Sequence, residues 1–256
     1  MSIHQHFRRD EHPFVDQVLD WCQFVQNTFS YRRSDFLDPR QQEIVALLAK
    51  YHGEVNASFF GGTSDAERKR AILAPPFFHF EDDDYNLVCF ELNYAEKFFT
   101  ISHRQLLGAL MNLGIRRDKL GDLFISGKRV QFVAAREIGD YLALNLNEVG
   151  RAAVSLKEIP FTELVVPDVE WRPFSGTVSS LRLDVFISEA FQLSRAKAAA
   201  NIQAGNVKVN WKTIERPSYE CELLDIISVR GHGRCKLTAV DGRTKKGKWR
   251  IRYGKK

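Results

Sequence analysis

Residues 180–212 run SLRLDVFISEAFQLSRAKAAANIQAGNVKVNWK, and the spacing predicts helix, turn, helix, strand. Leu183 and Val185 to Ala190 make the apolar side of a first helix that begins near Ser180. Ser194 caps a second helix through Ala204, with Ala198 and Ile202 four apart on its buried side. Gly205 stands where helix ends favour a left-handed residue. From Val207 to Lys212 apolar and polar residues alternate at period two, a strand that buries Val207 and Val209 and presents Lys208 and Asn210. A further strand is expected from Asp225 to Arg230.

This stretch lies in the basic third of the chain. Residues 176–256 hold 17 Lys and Arg against 7 Asp and Glu, a net of +10, whereas residues 1–175 hold 20 against 25, a net of −5. A basic module joined to a mildly acidic body is the charge arrangement expected when one part docks on a polyphosphate and the other does something else. The 256 residues suit two or three domains, and 44% hydrophobic with 27% charged residues is ordinary for a globular protein. Nothing approaches the roughly 18 to 20 apolar residues of a spanning helix, and Met1 to Asp10 is polar, so no membrane partner and a cytoplasmic location are expected. Cys22, Cys89, Cys221 and Cys235 are too scattered for a zinc site or a disulfide framework. His4, His6 and His12 with Cys22 imitate a metal cluster only on a flexible N-terminus, so neither a metal nor a cofactor is expected.

Before the basic module the pattern is α+β. Residues 1–80 read as a mostly helical subdomain. One helix starts near Pro13 with Phe14, Val15, Val18, Leu19, Cys22 and Val25 on one side. A second is capped by Asp38 with Pro39 first and Gln41 reaching back, a strand spans Val55 to Phe60, and a third helix opens at Ser64 with Glu67 as capping-box partner. Residues 81–165 read as β-α-β-β-α-β, the split βαβ arrangement shared by ferredoxin-like and RNA-recognition (RRM-like) folds. The elements are a strand over Leu87–Asn93, a Ser102-capped helix to Leu113, a hairpin about Ser126-Gly127-Lys128, a helix from Glu137 to Val149 and a strand over Val154–Ile159. The third strand, Arg129-Val-Gln-Phe-Val133, offers only Phe132 where RNA recognition needs several stacking aromatics. Residues 166–178 read as a linker and 179–256 as the C-terminal domain.

The residues Ser180-Leu-Arg-Leu-Asp-Val-Phe-Ile187, Ser194-Arg195, Gly205-Asn-Val-Lys-Val-Asn210 and Asp225-Ile-Ile-Ser-Val-Arg-Gly231 resemble the S4 RNA-binding domain, with Trp211 where Gly often follows the Asn. Together with Phe36-Leu-Asp-Pro-Arg40, Phe59-Phe-Gly-Gly62, Ala66-Glu-Arg-Lys-Arg70, Leu107-Gly-Ala-Leu-Met111, Gly121-Asp122 and Gln131-Phe132, they resemble the bacterial YlmH-type proteins over nearly the full length. The resemblance implies a non-enzymatic RNA-binding protein. Its implied partners are ribosomal RNA and peptidyl-tRNA on the large ribosomal subunit, and ribosomal proteins, in ribosome quality control of stalled complexes. It also implies a link to cell-division gene clusters, which leaves a protein-binding adaptor as an alternative.

By that resemblance and by charge, the phosphate and sugar contacts are expected at Arg182, Ser194, Arg195, Lys197, Lys208 and Asn210. Trp211 is a candidate for base stacking or core packing, followed by Lys212, Arg230, Arg234 and Lys236. Lys245, Lys246, Lys248 and Arg250 belong to a final basic strand whose other side is apolar through Trp249, Ile251 and Tyr253. Arg195 and Lys197 fall in the first turn of a helix, where unpaired N–H groups already favour an anion, while Lys255 and Lys256 fall beyond the strand pattern. In the body, Arg68, Lys69 and Arg70 and the later Arg116, Arg117 and Lys119 are candidate second contacts. The enzymatic alternatives fit poorly: Asp184 lies inside the S4 helix rather than in a pseudouridine synthase catalytic domain, and Gly61-Gly62 lacks the third glycine of a methyltransferase nucleotide loop. No catalytic residue is expected.

Overall fold

Pro13 in the first turn starts α1 (His12–Thr28), whose inward residues Val15, Val18, Cys22 and Val25 follow the helical repeat. After β1 (Arg32–Leu37), the backbone N–H of Gln41 donates to the Asp38 carboxylate and that of Asp38 to Gln41 Oε1, each at 2.9 Å, closing the expected capping box on α2 (Pro39–His52). Strands β2 (Asn56–Phe60) and β3 (Lys69–Ala74) join β1 in an antiparallel sheet of order β1-β3-β2. The structure, a computed structural model, describes residues 3–165 and 171–256, and the chain forms two compact units, residues 1–167 and 168–256.

The N-terminal subdomain thus contains a sheet as well as its helices. Its third predicted helix does not form. Residues 61–68 are a loop, because the N–H groups of Glu67 and Arg68 donate to the Asp122 carboxylate, at 2.5 and 3.2 Å, and not to a cap at Ser64.

Next come β4 (Leu87–Tyr94), α3 (His103–Asn112), β5 (Leu120–Ser126), β6 (Arg129–Ala135), α4 (Gly139–Asn145), β7 (Glu148–Val149) and β8 (Ala152–Ile159). The sheet order β5-β6-β4-β8-β7 is that of the split βαβ fold, extended by the short β7. The predicted second helix stops at Asn145, since Glu148 and Val149 pair with Ala153 and Ala152 about a turn at Gly150.

One face of this sheet packs on α3 and α4 through Phe90, Leu106, Leu110, Phe132 and Leu142. The opposite face lies on the N-terminal sheet through Phe36, Ile72, Cys89, Val133 and Ile159. At Gly121 the two sheets come so close that a side chain would meet the Phe36 ring at 2.8 Å. Unit 1 is therefore four layers deep: helices, sheet, sheet, helices. The face on which an RNA-recognition fold stacks bases is internal here, and Phe132, the single candidate aromatic, points to the helices and is fully buried. Each large apolar side chain so covered is worth about 1.5–3 kcal/mol.

Unit 2 begins earlier than the sequence suggests. Of the predicted linker, 166–170 lie outside the described residues, but Arg172–Val178 is strand β9, paired with the end of the chain. Then follow α5 (Leu183–Phe191), α6 (Arg195–Gln203), β10 (Val207–Val209), β11 (Lys212–Thr213), β12 (Ile226–Val229), β13 (Gly233–Arg243) and β14 (Trp249–Lys255). All pair antiparallel in the order β11-β10-β12-β13-β14-β9. Phe186, Ala198, Ile202, Val207, Ile227, Cys235 and Ile251 form the core between helices and sheet. The predicted single strand over Val207–Lys212 is two short strands around an Asn210-Trp211 turn. All four cysteines are buried and free, and burial pushes the thiols of Cys22, Cys89, Cys221 and Cys235 up.

Candidate nucleic-acid interface

Alternation sorts the strands of unit 2 into an inner and an outer face. Val207, Val209, Ile227, Val229, Cys235 and Leu237 turn inward, so their neighbours turn to solvent. Across the outer face Lys208 pairs with Ser228, Ser228 with Arg234, and Lys236 with Gly254. On β14, Arg250 and Arg252 alternate with the inward Trp249, Ile251 and Tyr253, as the sequence pattern requires. Arg252 is held by Asp241 at 2.7 and 3.0 Å. Lys245, Lys246 and Lys248 are exposed in the β13–β14 turn, which Thr244 closes by accepting from the Gly247 N–H and the Lys248 N–H. Arg230 is exposed just past β12, and Lys212 is half-buried at the start of β11.

Two tryptophans frame this basic face. The Arg234 guanidinium lies 5.8 Å over the Trp211 ring. Trp171 covers Gly254, where any Cβ would collide with it at 2.4 Å. Periodicity had no means of finding Trp171, which precedes β9 and meets its neighbour across 83 residues of sequence. Asn210 and Trp211 both have positive φ, 48° and 64°, which explains why glycine is common at the second position and marks Trp211 as strained. Asn210 is a structural residue. Its side chain donates to the buried Asp225 at 2.7 Å and accepts from the Ile226 N–H at 2.9 Å, which ties it into the turn.

On the helical side, Ser194 caps α6 by accepting from the Lys197 N–H at 3.2 Å, and Lys197 itself is exposed. Arg195 differs from expectation. It and Arg182 converge on the Asp184 carboxylate, 4% exposed, Arg182 with two bonds at 3.0 and 3.1 Å and Arg195 at 2.8 Å. Burial pushes Asp184 up, but the bonds from Arg182 and Arg195 outweigh it and hold the group below its ordinary range. The result is two outward guanidiniums on one carboxylate, with donors to spare for a phosphate. Sequence spacing placed Asp184 as structural without showing that it gathers both arginines.

Lys255 is no tail residue. It ends β14, and its ammonium lies 5.2 Å from the Phe174 ring and 5.4 Å from that of Phe191.

In the body the two candidate clusters, 48 residues apart in sequence, meet around one cleft of about 1050 Å³. Arg68 donates to the carbonyls of Leu120 and Phe36, and Arg117 to those of Leu120 and Gly121. Burial pushes both guanidiniums down, Arg117 to about 10, with the nearby Arg68 charge adding to its shift. Arg70 is 1% exposed and bound to Glu137, Asp35 and the Tyr85 carbonyl, so it is a structural cation and not a surface contact. Lys119 joins the same network at Asp35 (2.5 Å) and Glu137 (3.2 Å). Arg116 is largely exposed beside Asp118, while Lys69 donates to the Ser64 carbonyl and stands outside the cleft. Arg32 and Arg33, which charge counting passed over, complete the basic lining.

Among the described residues no helix is long and apolar enough to cross a membrane. Three sequence profiles match the chain: "YlmH, N-terminal" over residues 10–77, "Putative RNA-binding domain in YlmH" over 81–163 and "S4 domain" over 181–227. The chain is 44% identical over 252 residues to the "Ribosome-associated protein quality control protein P2" of Bacillus subtilis, covering 98% of each sequence. A solved structure, "Cell division protein ylmH from Streptococcus pneumoniae", is similar with a TM-score of 0.56 and 32% identity, covering 64% of this chain and 99% of that one.

Proposed function

The chain belongs to the YlmH family, and on that premise we propose that it is a non-enzymatic protein that docks on ribosomal RNA and peptidyl-tRNA of the large ribosomal subunit when a nascent chain has stalled. The observation that carries this reading is the outer face of unit 2, where Lys208, Arg234, Lys236 and Arg250 project from neighbouring strands with Trp211 and Trp171 beside them. Cations in a plane neutralise successive phosphates, and aromatic faces between them take unpaired bases. The arginine pair on Asp184 and the exposed Lys197 add a second phosphate-binding edge at the start of α6. Asp184, buried and claimed by two guanidiniums, is not disposed as a nucleophile, which favours binding over base modification. The relative from B. subtilis is named for ribosome-associated quality control, which directs the choice of RNA.

Gradient sedimentation of the full-length protein with large ribosomal subunits tests it. The wild type is expected to travel with the particles, and a Lys208→Glu/Arg234→Glu/Lys236→Glu variant to stay at the top. Equal co-sedimentation of the two would remove the outer face from the mechanism.

A further inference from the structure

The cleft of unit 1 carries more positive charge than the body around it allows by chance of composition. Arg32, Arg33, Arg68, Arg70, Arg116, Arg117 and Lys119 line it against only Asp35, Asp118 and Glu137, an excess of four cations. Residues 1–167 hold 19 Lys and Arg against 23 Asp and Glu, a net of −4, so unit 1 outside the cleft carries −8. A field of that shape draws an anion into the cleft and repels a long polyanion everywhere else.

The charges inside are unequally neutralised. Arg70 and Lys119 are balanced by Asp35 and Glu137, and Arg116 by Asp118. Among the described residues Arg68 and Arg117 form no salt bridge, Asp122 and Glu67 acting on both from beyond bonding distance. They are anchored by backbone carbonyls, and both donate to the same oxygen, Leu120 O, at 3.2 and 2.6 Å. Two half-buried like charges held this close repel each other, and a tetrahedral dianion bridging them would relieve the repulsion. Arg70 Nε, in the same lining, is a buried nitrogen without a hydrogen-bond partner. The other side of the cleft is aromatic: Phe14 and Trp21 in edge-to-face contact, then Phe24 and Tyr31, each more than 40% exposed. Exposed rings beside paired arginines are what a planar base attached to a phosphate requires.

We propose that this cleft binds one unpaired nucleotide, its phosphate at Arg68 and Arg117 and its base against Trp21, Phe24 and Tyr31. The volume, at the upper end for small-ligand pockets, admits a nucleotide unit with its sugar. The internal position of the RRM-like sheet face removes the ordinary stacking surface from this unit, and the cleft supplies another. The site lies wholly within residues 1–167 and does not depend on the basic face of unit 2.

Photolabelling of the full-length protein with 8-azidoadenosine 5′-monophosphate, and separately with a single-stranded RNA hexamer bearing a 3′-terminal 4-thiouridine, decides it. Modified residues are mapped by mass spectrometry. Label is expected at Trp21, Phe24 or Tyr31, protected by excess unlabelled adenosine monophosphate, and absent with a blunt duplex of the same sequence. The Arg32→Ala/Arg116→Ala variant, which changes only exposed side chains, should label about fivefold less, the effect of two weakened surface charge contacts. Lys208→Glu/Arg234→Glu/Lys236→Glu should label the cleft normally even if it loses ribosomal particles. Label from the mononucleotide alone identifies a free nucleotide as the ligand, and label from the hexamer identifies an RNA end. Label by neither probe, label that the nucleotide does not protect, or equal protection by a poly-glutamate peptide overturns the proposal.

Discussion

Among the described residues the chain forms three sheets, each with a pair of helices on one face, and the middle and C-terminal sheets differ in what their other face carries. In the middle domain that second face is apolar, through Leu87, Cys89, Val133 and Ala135, and the N-terminal sheet covers it. In the S4 module the equivalent face carries Lys208, Arg234, Lys236 and Arg250, with Lys208 and Arg250 exposed and Arg234 and Lys236 half-buried. A base stacked on protein gains roughly 1–3 kcal/mol. That is no more than one buried Val or Phe contributes, so an RNA strand could not displace the N-terminal sheet. On the function proposed above, topology does not decide which sheet meets RNA; the side chains on the second face do.

The largest expected effect breaks the covered face. Val133→Asp places an unpaired carboxyl between two apolar sheets and should destabilise unit 1 by about 4 kcal/mol or more. Urea unfolding of the full-length protein, followed by circular dichroism, should show it; a loss below about 1 kcal/mol would mean that this face tolerates water. An equally drastic Lys208→Glu should leave the unfolding curve in place.

Acid should act on unit 1 next. Burial pushes Glu137 up, but bonds from Arg70 and Lys119 outweigh it and hold its carboxyl at about 2, against an ordinary 4.5. A depressed folded-state value stabilises the fold above pH 4.5 and loses that contribution as pH falls towards 2. The melting temperature of unit 1 should fall across that window. Glu137→Gln should flatten the fall, and an unchanged slope would contradict the ion network.

How much of this was legible in the sequence follows the range of the forces involved. The caps at Asp38, Ser102 and Ser194 are local and form as expected. So does the alternation of β14, because period two is written in adjacent residues. Strand β3 was missed because Lys69 and Arg70 open it ahead of a short apolar run, and the carboxylates that neutralise the buried Arg70, Asp35 and Glu137, lie 35 and 67 residues away. The false helix at Ser64 has the same origin, since Asp122 captures the Glu67 and Arg68 N–H groups from a distant strand. Among the candidate site residues, the spacing that placed Lys208 and Asn210 on one strand did not show that the Asn210 side chain bonds within the turn. Charge counting missed the aromatic wall of the cleft, where Trp21 and Phe24 pass for ordinary helix residues.

Smaller substitutions sharpen the contrast within the S4 module itself. Asn210→Ala should cost about 1–3 kcal/mol by leaving Asp225 and the Ile226 N–H without their partner. It should not alter the salt dependence of RNA binding in the folded protein; a flatter slope would make Asn210 a contact after all. Trp211→Gly should change stability by less than about 1 kcal/mol, relief at a positive φ offsetting lost contact with Arg234. If its affinity for unpaired RNA also stays at the wild-type value, Trp211 is not a stacking platform.

The most direct test of the open basic face is the slope of log affinity for large-subunit ribosomal RNA against log salt, measured for the full-length wild type and for Lys208→Ala/Arg234→Ala/Lys236→Ala. Three lost phosphate contacts at about 0.7 to 0.9 each should make the variant slope shallower by about 2 to 3 and its binding weaker at low salt. Superimposed lines with equal affinity would show that RNA does not lie on this face.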